Sequence, residues 1–72
     1  MYSQKQTNMT KNWTLTIYKK NNSIAKQFKI IDRIESEANN EAMRYIENFR
    51  ITLDWTLQPA TKVELNTLSE LN

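Results

Sequence analysis

The sequence predicts a small α+β domain in which a three-stranded antiparallel sheet carries one helix on one face. Two periodicities support this fold class. Apolar residues alternate with polar ones over residues 13–18 and 50–58, which is the period of a strand, whereas residues 32–48 repeat apolar side chains every three or four positions, which is the period of a helix. The 72 residues leave room for only one such domain.

The order of these elements, β-β-α-β, also predicts how the strands are arranged. A right-handed crossover through the helix returns the third strand parallel to the second. If the third strand lies beside the first, both neighbouring pairs are antiparallel and the spatial order is 2-1-3.

The domain is predicted to span residues 12–59. Residues 1–11 are polar and have no period, which indicates a flexible arm. In the tail, residues 60–72, Thr61 and Glu64 could cap a short helix, although the same segment could equally form a strand. We favour the short helix, which would carry Leu65, Leu68 and Leu71.

The first two strands form a hairpin whose register follows from its turn. Asn21-Asn22 suits a tight two-residue turn, because Asn tolerates a positive φ. One face then pairs Trp13 with Ile30, Leu15 with Phe28, Ile17 with Lys26, and Lys19 with Ile24, and the other pairs Thr14 with Lys29, Thr16 with Gln27, and Tyr18 with Ala25. A slip of one residue would mix the two faces, so the register is well specified. Lys26 is the misfit on the apolar face, close enough to the turn for its ammonium group to reach water.

The helix is predicted over Asp32 to Asn48, with Asp32 and Glu35 as a capping box and Asn48 as a left-handed stop. The third strand follows over Arg50 to Gln58, and Pro59 ends it. The helix should cover the apolar face, with Trp13 and Trp55 as core anchors. The opposite face is expected to lack a cover, and it carries Thr14, Thr16, Tyr18, Gln27, Lys29, Thr52, Asp54 and Thr56.

The absence of three residue types excludes several kinds of site. The chain contains no His, no Cys and no Gly. It therefore lacks the means for a disulfide or a thiol nucleophile, for a zinc site of the usual type, and for a glycine-rich phosphate loop. We expect no enzymatic activity and no cofactor. No apolar segment approaches the roughly 20 residues of a membrane span, so a cytoplasmic, soluble protein is expected.

Charge is divided between the two halves of the chain. Residues 1–31 carry six lysines and no acid, whereas residues 32–72 carry all eight acids and four basic residues. The simplest interpretation is that these charges solvate their own elements and attract one another. The alternative is a nucleic-acid-binding module that uses the basic hairpin, with Tyr18 surrounded by Lys19, Lys20 and Lys29. One aromatic side chain is a weak stacking platform, so this hypothesis ranks second.

A protein partner is the favoured hypothesis, because both outer strands have free backbone edges that could accept an added strand. The second strand is defended by lysines, and the third, with Asp54 as its one acid, is less guarded. The tail leucines could dock on a partner, or the tail could fold back over the third strand or over an end of the core. Two third strands could also pair in a homodimer. The candidate partner-binding residues are Tyr18, Lys19, Lys29, Thr52, Asp54, Thr56, Leu65 and Leu68.

Three short blocks resemble a known group of proteins. Residues 13–18, Asp32-Arg33 with residues 35–38, and residues 54–57 with Pro59 are similar to short β-β-α-β proteins of cyanobacterial phages, and the resemblance covers residues 12–59. Ile34 departs from the hydroxyl residue expected before the helix. The resemblance implies a phage protein in the host cytoplasm that binds a host protein complex, RNA polymerase first, and inhibits or redirects it. A structural dimer within a larger viral assembly is a third hypothesis.

Overall fold

The computed structural model describes residues 9–71, so most of the predicted arm lies outside the described residues. The elements follow one another as predicted, with a second helix in the tail. They are β1 (Lys11–Tyr18), β2 (Ile24–Arg33), α1 (Glu35–Asn48), β3 (Trp55–Pro59) and α2 (Lys62–Thr67). The three strands form one antiparallel sheet in the order β2-β1-β3, which confirms the predicted fold class.

The hairpin keeps the predicted register through most of its length. Trp13 lies opposite Ile30, and Leu15 lies opposite Phe28. Such register is expected, because it places Trp13, Leu15, Phe28 and Ile30 on the same side of the sheet.

The turn, however, is one residue longer than predicted. Asn22 has φ of 71°, and its N–H donates to the Lys19 carbonyl at 2.9 Å. This is the three-residue loop that ends in a left-handed residue. The extra residue is absorbed by a bulge at Ala25, so that Tyr18 lies opposite Ile24. The predicted Tyr18–Ala25 and Lys19–Ile24 pairs are therefore wrong, and Ile24 lies beside Tyr18 on the face opposite α1.

The start of α1 differs from the prediction, because β2 continues through Asp32 to Arg33 and the helix begins only at Glu35. Asp32 has φ of 59°, a left-handed conformation, and its N–H donates to Asn12 Oδ1 at 2.9 Å. The N-cap is Ile34, which makes no side-chain cap hydrogen bond. The predicted capping box of Asp32 and Glu35 is thus wrong.

The helix α1 ends at Asn48 as predicted, but Asn48 is not the left-handed residue that was expected there. Arg50 has φ of 52° and takes the left-handed position that Asn48 was expected to take. The Arg50 N–H donates to the Glu47 carbonyl at 3.1 Å, and the Ile51 N–H donates to the Ile46 carbonyl at 2.9 Å. These two bonds form a Schellman motif, which satisfies carbonyls that the helix itself leaves free.

The third strand is shorter than its alternating pattern predicts. It begins at Trp55, not at Arg50. Ile51 and Leu53 still pack against the core, while Thr52 between them is exposed. The alternation therefore belongs to a loop that lies along the core after the Schellman turn, without pairing to β1 before Asp54.

The core lies between the sheet and α1. Ala38 and Ala42 are completely buried on the sheet side of the helix, which lets α1 lie close to the strands. Trp13 is 6% exposed, and Trp55 packs against the same cluster, so both indoles lie on the predicted side. The buried apolar residues are Trp13, Leu15, Ile17, Ile30, Ala38, Ala42 and Leu71.

Candidate protein-binding site

The face opposite α1 is partly covered by the tail, contrary to the prediction that it lacks a cover. We call residues 60–71 the strap. Thr14 and Thr16, expected to be exposed, retain only 3% and 7% of their accessible surface. The strap crosses the sheet above Thr14, so only the hairpin end of this face is open to a partner.

The helix of the strap begins with the predicted capping box. The Glu64 N–H donates to Thr61 Oγ1 at 3.2 Å, and the Thr61 N–H donates to Glu64 Oε1 at 2.9 Å. The same carboxylate accepts a hydrogen bond from the Thr14 hydroxyl at 2.9 Å. The Thr61 N–H, and after it the Thr14 hydroxyl, lower the pKa of Glu64 because both stabilise the ionised carboxylate. Glu64 therefore joins α2 to β1 through its charged form.

The end of the strap pairs with the outer edge of β2 at one residue, Lys29. The Lys29 N–H donates to the Ser69 carbonyl at 2.9 Å, and the Leu71 N–H donates to the Lys29 carbonyl at 2.8 Å. These bonds form a parallel bridge between Lys29 and Glu70. Leu71 then enters the core on the α1 side. The suggestion that the tail lies along the third strand is wrong, since it closes the opposite edge of the sheet.

The outer edge of β3 is uncovered within residues 9–71. The Tyr18 N–H donates to the Asp54 carbonyl, and the Ala60 N–H donates to the Asn12 carbonyl. Backbone groups of successive residues in an edge strand alternate between its neighbour and the outside. Trp55 and Leu57 therefore direct their N–H and C=O groups away from β1, and no described residue pairs with them.

The predicted partner-binding residues fall into two groups. Tyr18, Asp54 and Thr56 lie together beside β3, where the Tyr18 hydroxyl is 3.3 Å from Thr56 Oγ1. Lys19 and Thr52 are exposed near the same end of the sheet. Lys29, Leu65 and Leu68 belong instead to the strap or to its contacts, for the Lys29 ammonium donates to the Leu65 carbonyl at 2.8 Å.

One apolar side chain at the open end was not predicted. Ile24 is 52% exposed and lines a groove of about 190 Å³ with Tyr18, Thr56 and the strap residue Glu64. The sequence pattern placed Ile24 on the opposite face, because nothing in it marks the bulge at Ala25. The open end thus combines an apolar side chain, polar groups and a free strand edge, a set that suits an extended peptide.

Other chemistry is sparse in the described part of the chain. Arg33 Nε lies 2.6 Å from Glu41 Oε2, and this contact raises the pKa of Arg33. It joins the end of β2 to α1. No group of three or more acidic, His or Cys side chains that could hold a metal ion occurs among residues 9–71. In that range, neither helix has the length and apolar character that a membrane span requires.

Comparison with protein-family models, curated proteins and solved structures finds no match to this chain.

Proposed function

We propose that this chain is a small, non-enzymatic interaction protein that binds a partner protein by accepting an extended segment along the outer edge of β3. The observation that carries the proposal is the difference between the two edges. The strap closes the edge of β2 at Lys29, whereas Trp55 and Leu57 keep outward backbone groups that the described residues leave unpaired. Such groups bind an added strand through main-chain hydrogen bonds.

The surroundings of this edge favour one kind of binding. Thr56 and Tyr18 present hydroxyl groups on the open face beside β3, and Asp54 directly precedes the strand. Pro59 lacks an N–H, so the added strand would pair with only a short part of β3. Side chains of the partner that turn toward the open face would lie beside Thr56 of β3, with Tyr18 of β1 one strand further in.

The proposed partner is a host protein complex, and bacterial RNA polymerase is the first candidate. This choice rests on the resemblance of residues 12–59 to cyanobacterial phage proteins. By binding in the host cytoplasm, the protein would inhibit or redirect that complex.

Nucleic-acid binding by the basic hairpin is the second candidate, and the geometry favours it less. The Lys29 ammonium is engaged by the Leu65 carbonyl, and the Tyr18 hydroxyl contacts Thr56. Lys19 and Lys20 remain exposed. If this candidate were right, log K for an oligonucleotide would fall by roughly 0.7–0.9 per phosphate contact for each unit of log salt concentration.

The proposal is tested by hydrogen exchange of the full chain, free and with purified cyanobacterial RNA polymerase. In the free protein the amides of Trp55 and Leu57 should exchange quickly, because they point outward without a partner. In the complex both should be protected. No complex with the polymerase would refute that partner, and a complex that leaves both amides unprotected would refute strand addition.

A pair of matched variants adds a second test. Asp54→Lys with Gln58→Lys places two lysines beside the free edge, a device that opposes strand pairing. Glu70→Lys with Asn66→Lys makes the same change of charge on the strap. We expect the first variant to weaken binding to the polymerase and the second to leave it nearly unchanged. Equal effects would mean that overall charge, and not the edge, controls binding.

A further inference from the structure

A second exposed feature lies on the α1 side of the sheet, away from the outer edge of β3 that is proposed to bind a partner. Phe49, the C-cap of α1, is 65% exposed. Its ring centroid lies 4.6 Å from that of Tyr45, and the Tyr45 ring lies 5.0 Å from that of Phe28. These contacts restrict the Phe49 ring, which forms a ridge on the surface. A ligand that packs against the ridge would therefore cost the protein little side-chain entropy.

On one side of this ridge is an apolar groove of about 320 Å³ with a single charged residue. Lys26 is that residue, the misfit of the sequence pattern, and it is exposed. No ion pair of Lys26 occurs within residues 9–71, where Arg33 and Glu41 form the one such pair. The other residues that line the groove are Ile17, Ala25, Tyr45, Phe49, Ile51 and Leu53.

On the other side of Phe49 is a groove of about 490 Å³ that includes a cation, Arg44, with no ion pair among residues 9–71. Arg33 and Glu41 line it but pair with each other at 2.6 Å. Arg44 is the remaining charged residue of this groove, and Leu71 contributes an apolar wall. The ridge is thus flanked by apolar surface and, on each side, by one basic residue that forms no ion pair with a described residue.

From this arrangement we propose that the two grooves around Phe49 bind an acidic peptide segment of a partner protein that carries one large apolar side chain. The apolar side chain packs into the groove beside Lys26, against Phe49 and Leu53. Carboxylates on either side of it meet Lys26 and Arg44. Exposed aromatic residues surrounded by complementary charge are common centres of binding energy in protein interfaces.

Acidic residues near the end of β2 and the start of α1 limit where such a segment can lie. A neighbouring groove also includes Arg44, but Asp32 and Glu37 line it as well. These carboxylates would repel an acidic segment, which is therefore confined to the Phe49 side of Arg44. This surface is independent of the edge of β3, because it lies on another face of the domain and would bind through charge and apolar contacts, whereas β3 would bind through backbone hydrogen bonds.

The test begins with selection of short random peptides on the immobilised full chain, followed by fluorescence anisotropy with the tightest peptide. Selected peptides should combine acidic residues with a large apolar one. Lys26→Glu should weaken binding roughly tenfold, whereas Lys20→Glu, the same change at the exposed turn, should have little effect. Phe49→Ala should also weaken binding, and circular dichroism shows whether that variant is folded. Lys26→Glu carries the test if it is not.

Several outcomes would overturn the proposal. They are the absence of any selected peptide, selected peptides without acids, and equal affinities of the Lys26→Glu and Lys20→Glu variants. The double variant Asp54→Lys with Gln58→Lys should keep its affinity for the peptide. A loss there would assign the peptide to β3, which would support strand addition and refute binding at Phe49.

Discussion

The two helices of this chain are stabilised in opposite ways. The 14-residue α1 has no side-chain cap at its start, yet Ala38 and Ala42 are completely buried against the sheet. The six-residue α2 has a complete capping box, yet none of its residues is buried. Packing therefore fixes α1, whereas hydrogen bonds at a few points fix α2.

This difference indicates two levels of stability in one small domain. Loss of packing under α1 would remove the common core and unfold the whole molecule. Loss of the contacts of α2 would release the strap and leave the sheet and α1 folded, as expected for segments with few buried apolar contacts. Variants of Trp13, Thr61 and Glu64 distinguish the stability of the core from the docking of the strap.

The largest effect is expected from Trp13→Ala. The indole is buried beneath α1, and its Nε1–H donates to the Arg33 carbonyl at 2.8 Å. Its removal should lower the free energy of unfolding by about 3–5 kcal/mol, measured by urea denaturation. Val63→Ala on α2 is the control, since Val63 is 70% exposed. A comparable decrease in the free energy of unfolding of Val63→Ala would contradict the claim that packing stabilises α1 and not α2.

A smaller and local effect is expected from Thr61→Ala, which removes the N-cap hydroxyl of α2. Loss of such a cap costs about 0.5–2 kcal/mol. Because α2 positions the end of the strap, the Leu71 amide should exchange faster, while the amides of β1 and β2 that pair with each other keep their rates. Thr67→Ala at the other end of α2 serves as the control. If Thr61→Ala accelerated exchange throughout the sheet, the strap and the core would be one cooperative unit.

The smallest effect is a dependence of strap docking on pH. The folded state lowers the pKa of Glu64, so the carboxylate contributes stability that is complete above its ordinary pKa of about 4.3. That contribution is lost as the pH falls through the lower pKa of the folded protein. NMR shifts of the Thr61 and Lys29 amides should follow this loss, and Glu64→Gln should abolish it. An unchanged titration in Glu64→Gln would assign the effect to another group.

The sequence predicted those parts of the fold that local patterns encode. Alternation in the hairpin determined which residues of β1 and β2 pair, and the Thr61–Glu64 spacing identified the cap of α2. The alternation after α1 was misleading, because a loop can place Ile51 and Leu53 on the core as well as a strand can. The left-handed conformation of Asp32 has no local signal in the sequence, because the position is not a glycine. The pattern therefore did not show that α1 begins at Glu35 and not at Asp32.

The candidate site was less predictable, because it depends on contacts between distant residues. No pattern near Lys29 indicates that Ser69 and Leu71 pair with it. That pairing covers the edge of β2 at Lys29, and the Leu65 carbonyl separately accepts a hydrogen bond from the Lys29 ammonium. The importance of Lys26 could be seen in the sequence as a charge on an apolar face, but the exposed ring of Phe49 beside it required the structure.

The three left-handed positions, Asn22, Asp32 and Arg50, have a consequence for the unfolded chain. Glycine would occupy such positions without strain, yet the sequence contains none. Every residue therefore carries a Cβ atom, which narrows the range of backbone conformations before folding begins. The entropy lost on folding is smaller as a result. This smaller loss of entropy offsets part of the strain at the three left-handed positions.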